Sequence, residues 1–283
     1  MSVINAIAQL FGDDGYQISR SVRLRSSASA YLNRTPASAG TRTTWTWSSW
    51  VKRGTLGGTQ SVFGSSTGGS SPNFEFRFNS DAIDVYDNSG SIQWRLTTTQ
   101  VFRDPSAWYH IVLAIDTTQA TSANRVKLYV NGSQITSFGT TNYPSQNATT
   151  TLFGYASAGN RIGSIYDASG SFFDGYLTEI NHIDGQALTP SSFGSTNAIT
   201  GVWQPAKYTG TYGTNGFYLN FADNSAATAA AIGKDLSGNG NNWTPNNISV
   251  TSGATYDSMT DVPTLTSANI SNWCTLNPLD KGG

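Results

Sequence analysis

The sequence predicts an all-β protein built as an antiparallel β-sandwich or jelly roll. Only 12% of its 283 residues are charged, roughly half the share usual in globular domains. Aromatic residues also make up 12%, so the chain has enough apolar area to bury a core. We count about ten to twelve short alternating segments before residue 194, and no helix between residues 21 and 194. A single sandwich accommodates such a pattern.

Residues 104–136 hold the strongest strand signals. Residues 108–115 are mostly apolar, which is typical of an inner strand covered on both faces. Apolar and polar side chains then alternate over 126–130, so one face of that strand is expected to be apolar and the other wet. Asn131-Gly132 follows and supplies the two residues of positive φ that a type I′ turn requires. The stretch therefore predicts a long inner strand and a hairpin in an antiparallel sheet.

Two further stretches show clear strand alternation. Over 43–52, Trp45, Trp47, Ser49 and Val51 share one face, and Thr44, Thr46, Ser48 and Trp50 share the other. Over 73–79, Phe74, Phe76 and Phe78 lie on one face, and Glu75 and Arg77 on the other. The tryptophans could stack on a sugar or fill a core, and the core interpretation is preferred because tryptophan commonly fills sandwich interiors.

Composition also excludes several classes of function. The formal net charge of −1 provides no field that would gather nucleic acid or an anionic membrane. The one cysteine, Cys274, excludes an internal disulfide framework and a cysteine-ligated zinc site. No apolar run reaches the roughly eighteen residues of a membrane span. The N-terminus lacks the basic region of a secretory signal, so none is expected.

Several motifs resemble one sandwich family. They are Trp108-Tyr109-His110-Ile111-Val112, Lys127-Leu128-Tyr129-Val130-Asn131-Gly132, Phe173-Asp174-Gly175-Tyr176-Leu177-Thr178-Glu179-Ile180 and Ala187-Leu188-Thr189-Pro190. Together they resemble the laminin-G-like, concanavalin-A-like lectin and glucanase domains over about residues 21–194. The amino-acid sequences of residues 184–190 and 212–219 are similar to those of laminin-G-like proteins that tailed phages and prophages encode.

The chain is expected to have three parts. Residues 1–20 form an N-terminal arm in which Val3, Ile4, Ile7, Leu10 and Phe11 make one apolar face of a short helix. That arm either covers its own sandwich or attaches the protein to a neighbour in an assembly. Residues 21–200 form the sandwich. Residues 201–283 comprise a linker, additional strands and an extended tail; we expect the strands to pack on the sandwich, although in longer relatives the segment could begin a further unit.

One acidic segment invites a catalytic interpretation. Glu179-Ile180-Asn181-His182-Ile183-Asp184 resembles the Glu-x-Asp-x-x-Glu strand of glycosidases with this fold. Here the middle acid is Asn181 and the last is the shorter Asp184, which removes the charge and reach that the reaction needs. We therefore predict a polar closing strand and no catalytic residue. His110, beside two aromatic residues in its strand, is likewise predicted to be structural.

A second segment could bind calcium. Asp235, Ser237 and Asn239 alternate before Gly240, as in the first half of an oxygen-ligand calcium loop, and Asp223 could add a ligand. No glutamate completes the loop. A turn in which the aspartate bonds to its own backbone explains the same residues. We expect no cofactor, with a calcium site at Asp223, Asp235 and Asn239 as the alternative.

We therefore predict a non-enzymatic virion protein of a tailed phage. Its predicted location is the phage particle, in a tail fibre or similar appendage. The resemblance implies this assignment, with other virion proteins, further copies of the chain and a host-surface glycan as partners, and no nucleic acid. Capsid decoration is the first alternative. A free glycan-binding lectin or a glycoside hydrolase is the second.

Overall fold

The structure is a computed structural model that describes residues 16–66, 71–151, 159–165, 167–198 and 200–264. Its strands are, in chain order, β1 (Ser21–Leu24), β2 (Tyr31–Arg34), β3 (Thr44–Arg53), β4 (Thr59–Ser66), β5 (Asn73–Asn79), β6 (Ala82–Asn88), β7 (Ile92–Val101), β8 (Trp108–Asp116), β9 (Val126–Val130), β10 (Ser133–Gln134), β11 (Phe138–Asn142), β12 (Gly159–Ile162), β13 (Gly175–Asp184), β14 (Gly194–Thr196), β15 (Trp203–Pro205), β16 (Phe217–Leu219), β17 (Thr244–Asn246) and β18 (Ser258–Met259). Three short 3-10 helices span Ser26–Ala28, Ser122–Asn124 and Pro190–Ser192.

The strands form two antiparallel sheets that face each other. Sheet A has the order β10-β9-β8-β3-β13-β1-β18, with β16 also paired to β13. Sheet B has the order β11-β7-β6-β5-β4-β12-β2-β17, and β14 and β15 form a separate hairpin. The predicted all-β sandwich is confirmed. Strand β8 lies between β9 and β3, as its apolar run predicts.

Aromatic rings from both sheets fill the space between them. Trp47 of sheet A stacks on Phe63 of sheet B with ring centroids 4.0 Å apart. Trp45 meets Phe74 edge-on at 5.4 Å. Such pairs stabilise a core beyond the area that they bury. The core interpretation is therefore confirmed for Trp45 and Trp47, which are almost fully buried.

The hairpin prediction at 131–132 is also confirmed. Asn131 and Gly132 have φ angles of 47° and 80°, as a type I′ turn requires. The expected wet face of β9 is wrong at Tyr129, which is only 8% exposed. Tyr129 is covered by the segment that follows β13, because Phe193 packs in one apolar cluster with it.

The chain from residue 21 to residue 34 forms two strands that belong to different sheets. Strand β1 pairs with β13 in sheet A, whereas β2 pairs with β12 in sheet B. The 3-10 helix between them ends at Ser29, whose φ of 54° turns the chain. The chain crosses from one sheet to the other at this point.

The C-terminal segment adds strands to both sheets. Strand β16 pairs with β13, β17 with β2 and β18 with β1. Asp257 accepts hydrogen bonds from Arg23, at 3.1 Å, and from Arg25, at 2.7 Å, which ties this segment to β1 and the residue after it. Trp243 is fully buried in the main core. Residues 201–264 are thus built into the sandwich.

The N-terminal arm residues Val3, Ile4, Ile7, Leu10 and Phe11, and also Cys274, lie outside the described residues. In the part of the chain that the structure describes, no helix is both long and apolar enough to cross a membrane.

Candidate functional site

The outer face of sheet A and the β14–β15 hairpin enclose a pocket of about 460 Å³. Its lining includes the indoles of Trp50, Trp108 and Trp203 and the polar side chains of Asn131, Ser133 and Thr196. This volume lies within the range of roughly 300–1,000 Å³ that is usual for small-molecule sites. An aromatic lining with a few polar groups is the composition of a sugar or cofactor pocket.

Strands β3 and β8 position the first two indoles. The register pairs Trp50 with His110 and Lys52 with Trp108. Because side chains alternate along a strand, all four residues lie on the face opposite Trp47 and the core. Trp50 is 4% exposed and packs on the His110 ring at 5.0 Å, whereas Trp108 is half-buried.

Trp203 reaches the pocket from β15 and is fixed by His110. Its indole N–H donates to Nδ1 of His110 at 2.9 Å, and the two rings stack at 5.9 Å. A Cβ at Gly132 or at Gly194 would lie within 2.6 Å of the indole. The ring therefore fits only because both neighbours are glycine, and its orientation is set by packing as well as by the hydrogen bond.

The same hydrogen bond fixes the tautomer of His110. Since Nδ1 accepts a hydrogen bond from Trp203, Nε2 carries the ring hydrogen and donates to Oγ of Ser48 at 2.9 Å. Burial lowers the pKa of His110 to about 3, so the ring stays neutral near pH 7. Because Nδ1, the nitrogen without a hydrogen, already accepts from Trp203, the ring cannot take a proton from Ser48. The predicted structural role of His110 fits this geometry.

The indole N–H of Trp50 is a free donor inside the protein. Its Nε1 is buried and has no hydrogen-bond partner among the described residues. A buried donor without a partner costs about 1–3 kcal/mol.

Glu179 and Asp184, the candidate catalytic pair, do not face each other across a groove. Glu179 sits at a bulge of β13 with φ 51° and accepts hydrogen bonds from the hydroxyls of Tyr16 and Tyr218. Asp184 accepts from the backbone N–H of Thr41 at 2.6 Å and of Asn215 at 2.9 Å. Both carboxylates are buried, at 6% and 7% exposure, and are occupied by these structural contacts.

The register also places the two acids on different faces of sheet A. Asp184 pairs with Trp45, which points into the core. Tyr218, the partner of Glu179, pairs with Asn181, and Asn181 pairs with Ser48 on the outer face. Neither inverting nor retaining hydrolysis is compatible with acids on opposite faces of a sheet.

The raised pKa of the Glu179 carboxyl group predicts that the stability of the protein depends on pH. Burial raises the pKa of Glu179 from 4.5 to about 7, against the opposing effect of the tyrosine hydroxyls. The unfolded chain releases this proton near pH 4.5, whereas the native protein holds it to about pH 7. The stabilising contribution is therefore complete below pH 4.5 and is lost as the pH rises through 7. The total loss is about 3 kcal/mol.

Urea unfolding across this pH window, compared between the wild type and Glu179→Gln, measures the effect. Glutamine keeps an acceptor for Tyr218 and removes the titration. We expect the difference in unfolding free energy between the two proteins to change steadily over the window. A constant difference would contradict the assignment.

The proposed calcium residues make contacts within the protein. Asp235 accepts four hydrogen bonds, from the backbone of Tyr218, Ser237 and Asn241 and from the hydroxyl of Ser237. The Asp223 carboxylate accepts from the backbone and hydroxyl of Ser225. Asn239 donates its amide to backbone carbonyls of the 213–216 turn. Among the described residues, no group of three or more His, Cys, Asp or Glu side chains could hold a metal ion.

Sequence reasoning did not find this pocket. Trp203 was assigned to an extended linker, but residues 203–205 form β15 and pair with β14. The alternation over 43–52 places Trp50 on the face opposite Trp45 and Trp47, but it does not predict that Trp50 also lines a pocket. The sequence did contain one signal, which is that Trp203 is a large aromatic residue in an otherwise polar, glycine-containing segment. Such a ring is expected to pack against another part of the protein.

Comparisons with known proteins list several similar solved structures. Among solved structures, the chain is similar to a SAP-like pentraxin from Limulus polyphemus, with 17% identity, coverage of 62% of this chain and 80% of that one, and a TM-score of 0.45. It is similar to the CBM40 module of a Ruminococcus gnavus sialidase bound to α2,3-sialyllactose, with 12% identity, 56% and 85% coverage and a TM-score of 0.39. It is also similar to domain 4 of AbnA, a GH43 extracellular arabinanase from Geobacillus stearothermophilus, in complex with arabinotriose, with 20% identity, 56% and 68% coverage and a TM-score of 0.40.

A comparison with curated proteins found no match. The family model described as the concanavalin A-like lectin/glucanases superfamily matches residues 26–192, close to the limits of the resemblance noted in the sequence. That match spans more than half of the 283 residues. The chain therefore belongs to the concanavalin A-like lectin/glucanases superfamily.

Proposed function

We propose that this protein is a non-enzymatic carbohydrate-binding β-sandwich whose ligand site is the three-tryptophan pocket on the outer face of sheet A. The observation that carries the proposal is a pocket lined by three tryptophans, Trp50, Trp108 and Trp203, together with the polar side chains of Asn131, Ser133 and Thr196. Apolar faces of sugar rings pack on indoles, and sugar oxygens accept from N–H groups. The pocket offers both kinds of contact.

The absence of catalysis is the second part of the proposal. It is supported by the separation of Glu179 and Asp184 on opposite faces of β13 and by the occupied tautomer of His110. The competing function, glycoside hydrolysis, would need a pair of carboxyl groups about 5–10 Å apart that flank the sugar. Reducing ends released from bacterial polysaccharides, and lost in Glu179→Gln, would overturn this part.

Replacing Trp108 by alanine is expected to weaken glycan binding at least about 30-fold, because a central aromatic contact is typically worth 2 kcal/mol or more. The measurement is a glycan array followed by calorimetric titration of the best ligand. The matched control is Tyr31→Ala, a half-buried ring of sheet B whose loss is expected to leave binding unchanged. Equal affinity of wild type and Trp108→Ala for every bound glycan would contradict the proposed site.

The place of the protein in a tailed-phage virion, in a tail fibre or similar appendage, remains part of the proposal. It is supported by the resemblance of 184–190 and 212–219 to phage-encoded laminin-G-like proteins and by the low charge of the chain. Capsid decoration is the alternative location. Immunogold labelling of particles tests both, since label on the head and not on the tail would refute the appendage assignment.

Association with further copies of the chain is supported by one edge of sheet B. Strand β11 is five residues long, mostly exposed, and free of charge and proline, whereas edges β10 and β18 have two residues each and β17 contains Pro245. Unprotected edges pair readily with other strands. Sedimentation velocity should show concentration-dependent association that Thr141→Lys abolishes. An unchanged distribution in the variant would refute this interface.

For calcium, we propose that the 235–241 loop is a turn stabilised by the Asp235 carboxylate and that no cofactor is required. The four hydrogen bonds to Asp235 support this, because a metal ligand would have to give up some of them. Titration of chelator-stripped protein with calcium is expected to give no heat and no rise in melting temperature. A rise that disappears in Asp235→Asn would establish the calcium site instead.

A further inference from the structure

We propose that the three-tryptophan pocket selects an uncharged sugar and rejects the corresponding acidic sugar. This inference rests on the proposed function of the pocket and names the class of its ligand. Among the described residues that line the pocket, none has an ionisable side chain. Its polar groups are the hydroxyls of Ser106, Ser133 and Thr196 and the amide of Asn131, which are neutral partners for sugar hydroxyls.

The charged side chains next to the pocket already make ion pairs or hydrogen bonds within the protein. Asp261 accepts from Nε1 of Trp108 at 3.1 Å and from Nζ of Lys52 at 2.7 Å. Asp104 accepts from the backbone N–H of Ser106 at 2.8 Å and also from its hydroxyl. The Lys52 ammonium is therefore compensated by Asp261, and an anionic ligand would meet a carboxylate beside the cation.

Burial of an ionised sugar in such a pocket is costly. A carboxylate that leaves water needs a cation or several charge-assisted hydrogen bonds to compensate for its lost hydration. The amide of Asn131 and the hydroxyls of Ser133 and Thr196 are neutral partners, which are sufficient for a hydroxyl or ring oxygen but not for a full charge. An uncharged hexose or pentose meets no such penalty, and its apolar ring face gains from the indoles.

The test uses pairs of glycans that differ only at C6, a hydroxymethyl group in one member and a carboxylate in the other. Glucose and galactose oligosaccharides and their uronic acid counterparts provide such pairs. We expect the neutral member to bind at least about tenfold more tightly, a difference of about 1.4 kcal/mol. We also expect its affinity to be the same at low and high salt, because no ion pair forms.

A charge-gain variant tests the physical cause. Ser133, an exposed residue of β10 at the pocket, is replaced by arginine, with Ser133→Gln as the uncharged control of similar size. Ser133→Arg should raise the affinity for the acidic member relative to that for the neutral member, and Ser133→Gln should leave this ratio unchanged. If Ser133→Arg did not increase the affinity for the acidic member relative to that for the neutral member, the electrostatic argument would be contradicted.

The outcomes separate this inference from the proposed function. If the acidic member binds as well as the neutral one and Trp108→Ala removes both, the pocket binds sugar but the selectivity for uncharged ligands is refuted. If binding of every glycan survives Trp108→Ala, or no glycan binds, the proposed function fails and this inference fails with it. Neutral-selective binding that Trp108→Ala removes is the predicted result.

Discussion

Replacing Trp243 by alanine is expected to lower the free energy of unfolding by about 3–5 kcal/mol, the usual cost of removing a large buried aromatic ring. Trp243 is fully buried, and its ring lies 4.9 Å from Phe217 and 6.3 Å from Phe63. Phe63 belongs to sheet B and Phe217 to a strand of sheet A, so the cavity would open between the two sheets. Equilibrium unfolding in urea measures the loss.

The control for this experiment is Leu236→Ala, seven residues earlier in the same segment. Leu236 is 44% exposed, and its truncation should change stability by no more than about 0.5 kcal/mol. If Trp243→Ala were as mild as the control, the C-terminal segment would not be part of the cooperative core. The integration of residues 201–264 into the sandwich would then be refuted.

Replacing Asp81 by asparagine is expected to cost about 3–5 kcal/mol, because it removes the carboxylate that compensates a buried cation. Nη1 of Arg53 donates to Oδ1 of Asp81 at 2.8 Å, and the Arg53 side chain is fully buried. The guanidinium also lies over the Phe78 ring, 4.5 Å from its centroid, and an uncompensated charge there cannot reach water. Asparagine tolerates the φ of 71° at this position, so the variant isolates the charge.

The matched control is Arg103→Gln. Arg103 is the other cation on Asp81, at 2.9 Å, but its side chain is 64% exposed. Loss of an exposed ion pair changes stability by about 0–1 kcal/mol. Urea unfolding of both variants should therefore separate them clearly, and similar losses would show that burial of Arg53 is not the cause.

The sequence was most informative where apolar and polar side chains alternate along a strand. In β5 the alternation of Phe74, Phe76 and Phe78 with polar residues predicted the core face, and all three rings are fully buried. In β3 the same reasoning placed Trp45 and Trp47 inside. Period-two alternation is a local property, so it survives without any knowledge of tertiary contacts.

The pocket could not be predicted in this way, because it is made by contacts distant in the chain. Trp203 reaches His110, 93 residues away, and is accommodated by the absence of side chains at Gly132 and Gly194. No periodic pattern surrounds Trp203, since β15 has only three residues. The interpretation of the segment as a linker followed from its composition, and tertiary packing overrode it.

The face of sheet A on which each acidic residue lies was only partly accessible from sequence. The substitutions at Asn181 and Asp184 already argued against hydrolysis. The bulge between Thr178 and Asn181 was not foreseeable, and it shifts the alternation so that Asp184 shares a face with Trp45. A single extra residue in a strand exchanges its two faces, and no sequence pattern marks this bulge.

The measurement that tests the carbohydrate site most directly is the 15N–1H spectrum of the indole N–H groups during titration with a neutral glycan. The resonances of Trp50, Trp108 and Trp203 should shift together and saturate, because all three indoles line the pocket. The indoles of Trp45, Trp47, Trp94 and Trp243, buried in the main core, should remain in place. Shifts of the core indoles or no shift at Trp50, while the glycan binds, would contradict the account.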